Sequence, residues 1–170
     1  MKRVRLSNRE VRELRELYKH ISPILEGSDV VEVAQLGEET YVYIIDGEIL
    51  FAKIVAKELG EHLIPTLYLI HKSEKVKLLP PYPKAVVDAG AVKHIINGAD
   101  VMRPGIRELS GEFNKGDVVL VADEKGRAIA VAVALFSKSE IEQMQKGKVL
   151  INLHYIGDKI WRASLEMLKK

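Results

Sequence analysis

Three prolines within four residues, Pro80, Pro81 and Pro83, interrupt this chain of 170 residues near its middle. A proline has no backbone N–H and a fixed φ, so this segment can continue neither a helix nor a central strand. The chain is long enough for two small domains. We therefore predict an N-terminal domain over residues 1–79, a proline-rich linker over 80–83, and a C-terminal domain over 84–161, followed by a helix or tail over 162–170.

The N-terminal domain is predicted to begin with a helix. Ser7 and Glu10 have the spacing of a capping box, and apolar residues recur behind them at helical spacing. We expect a helix over residues 8–21 that ends at Ser22-Pro23, because a proline disfavours helical geometry in the residue before it.

A meander of strands is predicted after that helix. Residues 30–36 and 41–45 are rich in β-branched and aromatic side chains, and Asp46-Gly47 lies between two apolar runs. An Asp-Gly pair in that setting is a strong signal of a two-residue hairpin. The first 79 residues are therefore expected to form a small α+β domain with an antiparallel meander.

The C-terminal domain alternates short apolar runs with turns. Strands are predicted at 84–88, 118–122, 129–135 and 149–155, and helices at 90–97 and from a capping box at Ser139-Glu142 to Gly147. Many short strands with few helices are typical of a small, mostly β barrel. The fold class expected for the chain is therefore α+β. The spacing of Leu165, Met167 and Leu168 is compatible with packing of the C-terminal residues against the barrel.

Composition argues against several kinds of chemistry. The chain has no cysteine, which excludes disulfides, thiolate zinc sites and a cysteine nucleophile, and no two of its five histidines have metal-ligand spacing. It has neither a Walker-type phosphate loop nor a Gly-x-Ser-x-Gly elbow. We expect no catalytic residues, no metal and no cofactor. No apolar run approaches the roughly 20 residues that span a bilayer, so we expect a cytoplasmic protein that does not bind membranes.

Charge is distributed unevenly along the chain. Residues 1–19 have a net charge of +4 (seven basic, three acidic), residues 20–83 of −5 (five, ten) and residues 84–170 of +3 (fourteen, eleven). The two flanks are therefore the better surfaces for nucleic acid. The abundance of Lys, Arg and Glu with few Asn and Gln resembles hyperthermophile usage, such as that of thermophilic archaea.

Residues 86–106, VVDAGAVKHIINGADVMRPGI, contain a strand ending in Asp, a Gly-Ala helix start and a Gly-Ala-x-Val-Met-x-Pro-Gly run. This segment resembles the opening of PUA domains, which are appended to pseudouridine synthases and archaeosine transglycosylases. The resemblance implies a PUA-type β-pseudobarrel over residues 84–161 that binds RNA.

The predicted RNA-binding residues surround one loop. Gly98 and Ala99 would allow close approach of a sugar–phosphate chain, and Lys93 and Arg103 flank them as phosphate ligands. The predicted set comprises Lys93, Gly98, Ala99, Asp100, Val101, Met102, Arg103, Lys125 and Arg127. Gly105 and Gly126 are expected only to satisfy turn geometry.

Two further hypotheses concern RNA binding. Arg9, Arg12 and Lys19 lie on one face of the first helix, which is either a solvated face or a secondary contact for phosphates. If the loop binds tRNA, replacing both Gly98 and Arg103 with glutamate should abolish binding and leave the melting temperature near that of the natural chain.

Three further segments extend the resemblance over most of the chain. Residues 46–51, residues 65–72 (PTLYLIHK) and the Asn152-x-His154-Tyr155 ending with Trp161 are similar to segments of the malignant T-cell-amplified-sequence family. Members of that family pair with density-regulated protein, and the same two-domain unit opens initiation factor 2D (ligatin).

The resemblance implies a non-enzymatic translation factor that contacts the small ribosomal subunit and tRNA during initiation or ribosome recycling. A partner like density-regulated protein is possible on that ground. The alternatives are an accessory protein of ribosome biogenesis or of rRNA or tRNA modification, and a protein-interaction module that uses the acidic residues 20–83.

Overall fold

The computed structural model describes residues Met1 to Lys169, which form two units. The first contains Met1–Val55, Glu61–Pro81 and the chain from Lys159 onward, and the second contains Ala56–Gly60 and Tyr82–Asp158. The change of unit near the middle of the chain falls between Pro81 and Tyr82, within the proline-rich segment. Lys170, the last residue of the predicted tail, lies outside the described residues.

The first unit is built on a five-stranded sheet. Its strands are β1 (Arg3–Arg5), β2 (Val31–Gln35), β3 (Thr40–Ile45), β4 (Glu48–Ala56) and β5 (Gly60–Pro65), and they are neighbours in chain order. The pairs β1–β2, β2–β3 and β3–β4 are antiparallel, which confirms the predicted meander. The short strand β1 was not predicted, because three residues are too few to show an alternating pattern.

The Asp46-Gly47 hairpin connects β3 and β4 as predicted. Both residues have positive φ, 49° and 85°, as a type I′ turn requires. The Asp46 carboxylate accepts hydrogen bonds from the backbone N–H groups of Asp29 and Val30 at 2.9 and 2.8 Å. The turn therefore also holds the start of β2.

The helix predicted over residues 8–21 is shorter in the structure. Helix α1 (Asn8–Leu17) has the predicted capping box at Ser7, but Tyr18 leaves helical geometry with ψ of 74°. A single 3₁₀ turn follows, and Pro23 then lies in the first turn of α2 (Ser22–Glu26). Pro23 begins a helix rather than ending one, because the first turn needs no N–H from it. A third helix, α3 (Leu67–Lys72), which Thr66 caps, was not predicted.

The second unit is a curled six-stranded sheet with two helices. Its strands are β6 (Lys84–Val87), β7 (Val101–Met102), β8 (Ile106–Ser110), β9 (Val118–Ala122), β10 (Ala128–Ala134) and β11 (Lys148–Tyr155). The order is β7-β11-β10-β9-β6-β8, and β6 and β9 run parallel. Every residue of β10 is buried, and its alternate side chains belong to the core of this unit.

Helices α4 (Ala89–Ile95) and α5 (Lys138–Gln143) lie between these strands in the chain. The predicted capping box of α5 at Ser139 is wrong. Ser137 is the cap: its hydroxyl accepts from the Glu140 N–H at 3.2 Å, and its own N–H donates to the Glu140 carboxylate at 3.0 Å. The helix ends at Gln143, before Gly147.

The C-terminal helix α6 (Lys159–Met167) belongs to the first unit. Ile160 is buried, and Trp161 packs against the core that α1, α2 and the meander enclose. The sequence pattern of Leu165, Met167 and Leu168 was compatible with packing against the barrel, whereas this helix is grouped with the first unit. No helix within the described residues is long and apolar enough to cross a membrane.

Candidate nucleic-acid interface

Helix α4 has a defined start and a defined end. The Asp88 carboxylate accepts from the Ala91 N–H at 2.8 Å and caps the first turn. At the other end the N–H groups of Gly98 and Ala99 donate to the carbonyls of Ile95 and His94, each at 3.0 Å. This pair of bonds is a Schellman motif, which requires the positive φ of 96° that Gly98 has.

Asn152 on β11 holds the loop that follows α4. Its side-chain amide donates to the carbonyls of Ile95 and Ala99, both at 3.0 Å. Its backbone N–H donates to the Asp100 carboxylate at 2.8 Å. One residue therefore fixes the end of the helix and the loop together.

The rest of the Asn-x-His-Tyr motif supports the same loop. The Tyr155 ring lies so close to Gly98 that a Cβ there would be 3.5 Å from it. Buried His154 contacts the Asp158 carboxylate through Nδ1 at 2.8 Å, and that carboxylate also accepts from the Tyr155 N–H at 2.9 Å. Within this motif, which the sequence showed only as a family resemblance, Asn152 is the residue that positions the loop of the candidate site.

A groove of about 730 Å³ lies beside this loop. We call it the α4 groove. It is lined by Asp88, Gly90, Ala91, His94, Ile95, Ala99, Asp100, Met102, Pro104, Gly105 and Lys148. Most of the lining side chains are small or apolar, and Met102 is half exposed. The walls therefore offer backbone and apolar surface on which a base or sugar could pack.

Lys148 supplies a cation to the α4 groove. Its ammonium lies 3.2 Å from the Asp100 carboxylate and 3.8 Å from that of Glu58. The hydrogen bond and charge of Asp100, and then the charge of Glu58, raise the pKa of Lys148. Lys148 was not predicted, because only the pairing of β11 with β7 places it opposite Met102.

The structure brings part of the predicted set to this groove. Ala99, Asp100 and Met102 line it, and Gly98 lies in the loop that borders it. The Val101 side chain is buried in the core. The prediction missed Gly90, Ala91, His94 and Pro104. The first three occupy positions i, i+1 and i+4 of α4, and this spacing could have been read as one helix face.

Arg103 is held inside the second unit. Its Nε donates to the Ile141 carbonyl at 2.7 Å, and its backbone N–H donates to the Gly147 carbonyl at 2.8 Å. Replacing both Gly98 and Arg103 with glutamate would therefore strain the helix end and remove a bond to α5. These contacts favour a lower melting temperature over the unchanged one expected from the sequence, so this double variant would not test RNA binding alone.

Lys125 and Arg127 lie at a second depression, the hairpin cleft. It is lined by Ala89, Val92, Asp123, Glu124, Lys125 and Arg127. The Arg127 Nε donates to the Asp123 carboxylate at 2.9 Å. The Lys125 side chain is exposed, and within residues 1–169 its ammonium has no carboxylate in ion-pair distance.

Lys93 connects the two depressions. On α4 it follows Ala89 of the hairpin cleft by four residues and Gly90 of the α4 groove by three. Residues at those spacings are neighbours on a helix surface. Helical spacing therefore places exposed Lys93 on the α4 surface beside both depressions. We call the α4 groove with Lys148, the hairpin cleft with Lys125, and Lys93 together the strip.

Gly105 has a packing role rather than the turn role expected of it. Its φ is not positive, but a Cβ at this position would lie 2.9 Å from the Ala91 Cβ. Its carbonyl accepts from the Asp88 N–H at 2.9 Å, so α4 rests directly on its backbone. Gly126, in contrast, has φ of 83° and no atom within 4 Å of such a Cβ, which is turn geometry as expected.

We expect Gly105→Ala to lower the free energy of unfolding by about 1 to 2 kcal/mol, because α4 must move outward to admit the methyl group. Urea unfolding measures the loss. Gly90→Ala is the matched control on α4, where the nearest atom is 3.4 Å away. It should leave stability unchanged or slightly higher, since alanine favours helix. Equal losses in both variants would contradict the packing explanation.

The predicted basic face of α1 lies in the first unit. Arg9 pairs with Glu13 at 3.2 Å, as a solvated helix face would, while Arg12 and Lys19 are exposed. Arg15, which borders this face, pairs with Glu26 at 2.8 Å.

Within Met1–Lys169, no group of three His, Asp or Glu side chains could hold a metal ion.

Two family models match the chain. The PUA domain model matches residues 83–156. A second model, described as a domain of unknown function (DUF1947), matches residues 2–73. The first match confirms the PUA domain that residues 86–106 predicted.

Relatives match over most of their length. An uncharacterized protein of Methanocaldococcus jannaschii is 39% identical over 165 residues, which cover 94% of this chain and 95% of that protein. Translation machinery-associated protein 20 of Saccharomyces cerevisiae is 29% identical, with 86% and 79% covered. Malignant T-cell-amplified sequence 2 of Homo sapiens is 29% identical, with 83% and 75% covered.

Among solved structures, a hypothetical protein from the hyperthermophilic archaeon Pyrococcus horikoshii matches with a TM-score of 0.73 and 30% identity. The match covers 96% of this chain and 99% of that one. The arrangement of elements described above is therefore also found in a solved structure.

Proposed function

The chain belongs to the malignant T-cell-amplified-sequence family, and from this premise we propose that it is a non-enzymatic translation factor that contacts the small ribosomal subunit and tRNA. The PUA domain and the names of the relatives imply a role in RNA binding and translation. We also propose that the protein acts in the cytoplasm, at the initiation step of translation or during ribosome recycling. The proposal also includes a partner of the density-regulated-protein type.

The proposal is based on the strip on the second unit, beside a loop that hydrogen bonds hold in place. Asn152 holds the loop through two hydrogen bonds before any ligand arrives, so little ordering is needed on binding. Small side chains leave backbone accessible in the α4 groove, Lys125 lines the hairpin cleft, and Lys93 is exposed on α4 beside both. A bent single strand such as a tRNA acceptor end could follow these features, with bases in the groove and phosphates on the lysines.

Salt dependence tests this mode of binding. We expect labelled tRNA to bind the purified chain with an affinity that falls linearly on a log–log plot against salt. The slope should be between about −1.5 and −3, because two to four phosphate contacts release about 0.7 counterions each from a single strand. An affinity independent of salt would contradict phosphate contacts by the strip.

Sedimentation separates the proposal from its alternatives. A tagged chain in extract of its own cells should migrate with mature small subunits through a sucrose gradient. Migration with pre-ribosomal particles would instead support a biogenesis or RNA-modification accessory role. Absence from both fractions, together with failure to bind tRNA, would leave a protein-interaction module and overturn the proposal.

A further inference from the structure

A second groove lies on the first unit, apart from the strip. It has a volume of about 450 Å³ and lies between α1 and the adjoining sheet. We call it the α1 groove. Its apolar and aromatic lining consists of Leu6, Leu14, Leu17, Tyr18, Tyr41 and Tyr43, with Val33. Its volume is within the range of about 300 to 1,000 Å³ typical of ligand sites.

Two large apolar side chains of this groove are uncovered. Leu17 is 72% exposed and Tyr41 is 37% exposed. A single exposed leucine is ordinary on a protein surface. These two, however, line one concave surface together with partly buried Tyr18. Exposed apolar side chains that meet on one concave surface with a polar rim are a feature of interaction sites.

The charges of the groove have mainly one sign. Glu10, Glu13 and Glu61 line it, and Lys53 is the one lysine or arginine in its lining. Arg9, outside the lining, pairs with Glu13 at 3.2 Å, and the Glu10 carboxylate also accepts from the Ser7 N–H at 2.9 Å. The Lys53 ammonium lies 3.2 Å from the Glu61 carboxylate and 5.5 Å from the centre of the Tyr41 ring. Lys53 is therefore held between an aromatic face and a carboxylate. The exposed Glu10 and Glu13 carboxylates at the α1 side leave the lining with more negative than positive charge.

We propose that the α1 groove binds a segment of a protein partner that carries a large apolar side chain flanked by arginine or lysine. The apolar side chain would cover Leu17 and Tyr41, and the basic residues would pair with Glu10 and Glu13. RNA does not fit this groove, since three carboxylates repel phosphates. The basic Arg12 lies on the opposite face of α1 from Leu17 and Glu10, by helical spacing.

The test uses the full chain and a phage library of random twelve-residue peptides. We expect selected peptides to share an aliphatic or aromatic residue with at least two basic neighbours. A synthetic peptide of that consensus should shift the amide resonances of Leu17, Tyr41 and Lys53. Its affinity should fall as salt increases, because its basic residues pair with exposed carboxylates.

Leu17→Glu should weaken peptide binding by about tenfold or more, because one buried leucine contributes at least that factor. Leu78→Glu is the matched control, a leucine that is 47% exposed in the same unit but outside the groove. It should bind the peptide like the natural chain. Both variants should keep the melting temperature, as these side chains are exposed.

Several results would overturn the inference. These are no enrichment, enrichment of acidic or uncharged peptides, or equal affinity of the peptide for Leu17→Glu and the natural chain. Displacement of the peptide by small-subunit rRNA, with weaker rRNA binding by Leu17→Glu, would make the groove an RNA contact instead. None of these outcomes depends on tRNA binding by the strip, so failure of either proposal can be recognised separately.

Discussion

Replacing both Lys93 and Lys125 with glutamate is expected to weaken tRNA binding about 100-fold without lowering the melting temperature. Both ammonium groups are exposed, and neither has an ion pair within the described residues, so the fold does not depend on them. Each substitution removes one phosphate contact and adds a repelling charge to the strip. The slope of log affinity against log salt should fall in magnitude by about 1.5, since about 0.7 counterions per contact are no longer released.

Lys115→Glu is the control for nonspecific charge. It is an exposed lysine of the same unit, but it precedes β9, whereas Lys125 follows it, so the two lie at opposite ends of that strand. It should reduce affinity by less than about threefold. If Lys115→Glu weakened binding as much as either single variant of the strip, the proposed location of the RNA would be wrong.

Asn152→Ala is expected to lower the free energy of unfolding by about 2 to 3 kcal/mol. The substitution removes both side-chain hydrogen bonds, and it leaves the Ala99 carbonyl and part of the Ile95 carbonyl without their donor. The loop after α4 should also become more mobile and bind tRNA more weakly. Urea unfolding gives the stability change, and hydrogen exchange at Ala99 and Asp100 reports the loop.

Asn97→Ala is the matched control, because it removes an asparagine side chain that does not hold the loop. Asn97 also donates to a carbonyl, that of Lys93 at 2.8 Å, but at an exposed site where water can replace it. The expected loss is below about 0.5 kcal/mol. If Asn152→Ala were as mild, the bracing role given to the Asn-x-His-Tyr motif would have to be abandoned.

Local signals predicted most elements of the fold. The hairpin at Asp46-Gly47, the capped start of α1 and the strands of the second unit follow from patterns of a few neighbouring residues. The errors occurred where two local signals competed. Pro23 can end one helix or begin the next, and Ser137 and Ser139 each precede a glutamate by three residues. Only tertiary packing decides between such options.

The candidate site was predicted in part for the same reason. The loop from Gly98 to Met102 is contiguous in the chain, so its residue types and spacing were visible. Arg103 belonged to the predicted set too, but its hydrogen bond to the Ile141 carbonyl, 38 residues away in the chain, could not be predicted. Such contacts depend on which strands pair with each other, and the local spacing of residues does not show that pairing.

The amino-acid sequence by itself determined the α+β class, through runs of neighbouring residues, and the PUA domain, through the family resemblance of residues 86–106. The boundary near Pro81 is predicted from the restricted backbone of the prolines. The tertiary structure alone decided that Lys148 faces Met102, that Asn152 holds the loop after α4, and that Leu17 and Tyr41 line one groove. Such contacts join residues from distant parts of the chain, and hydrophobic burial selects them only when the whole sheet forms.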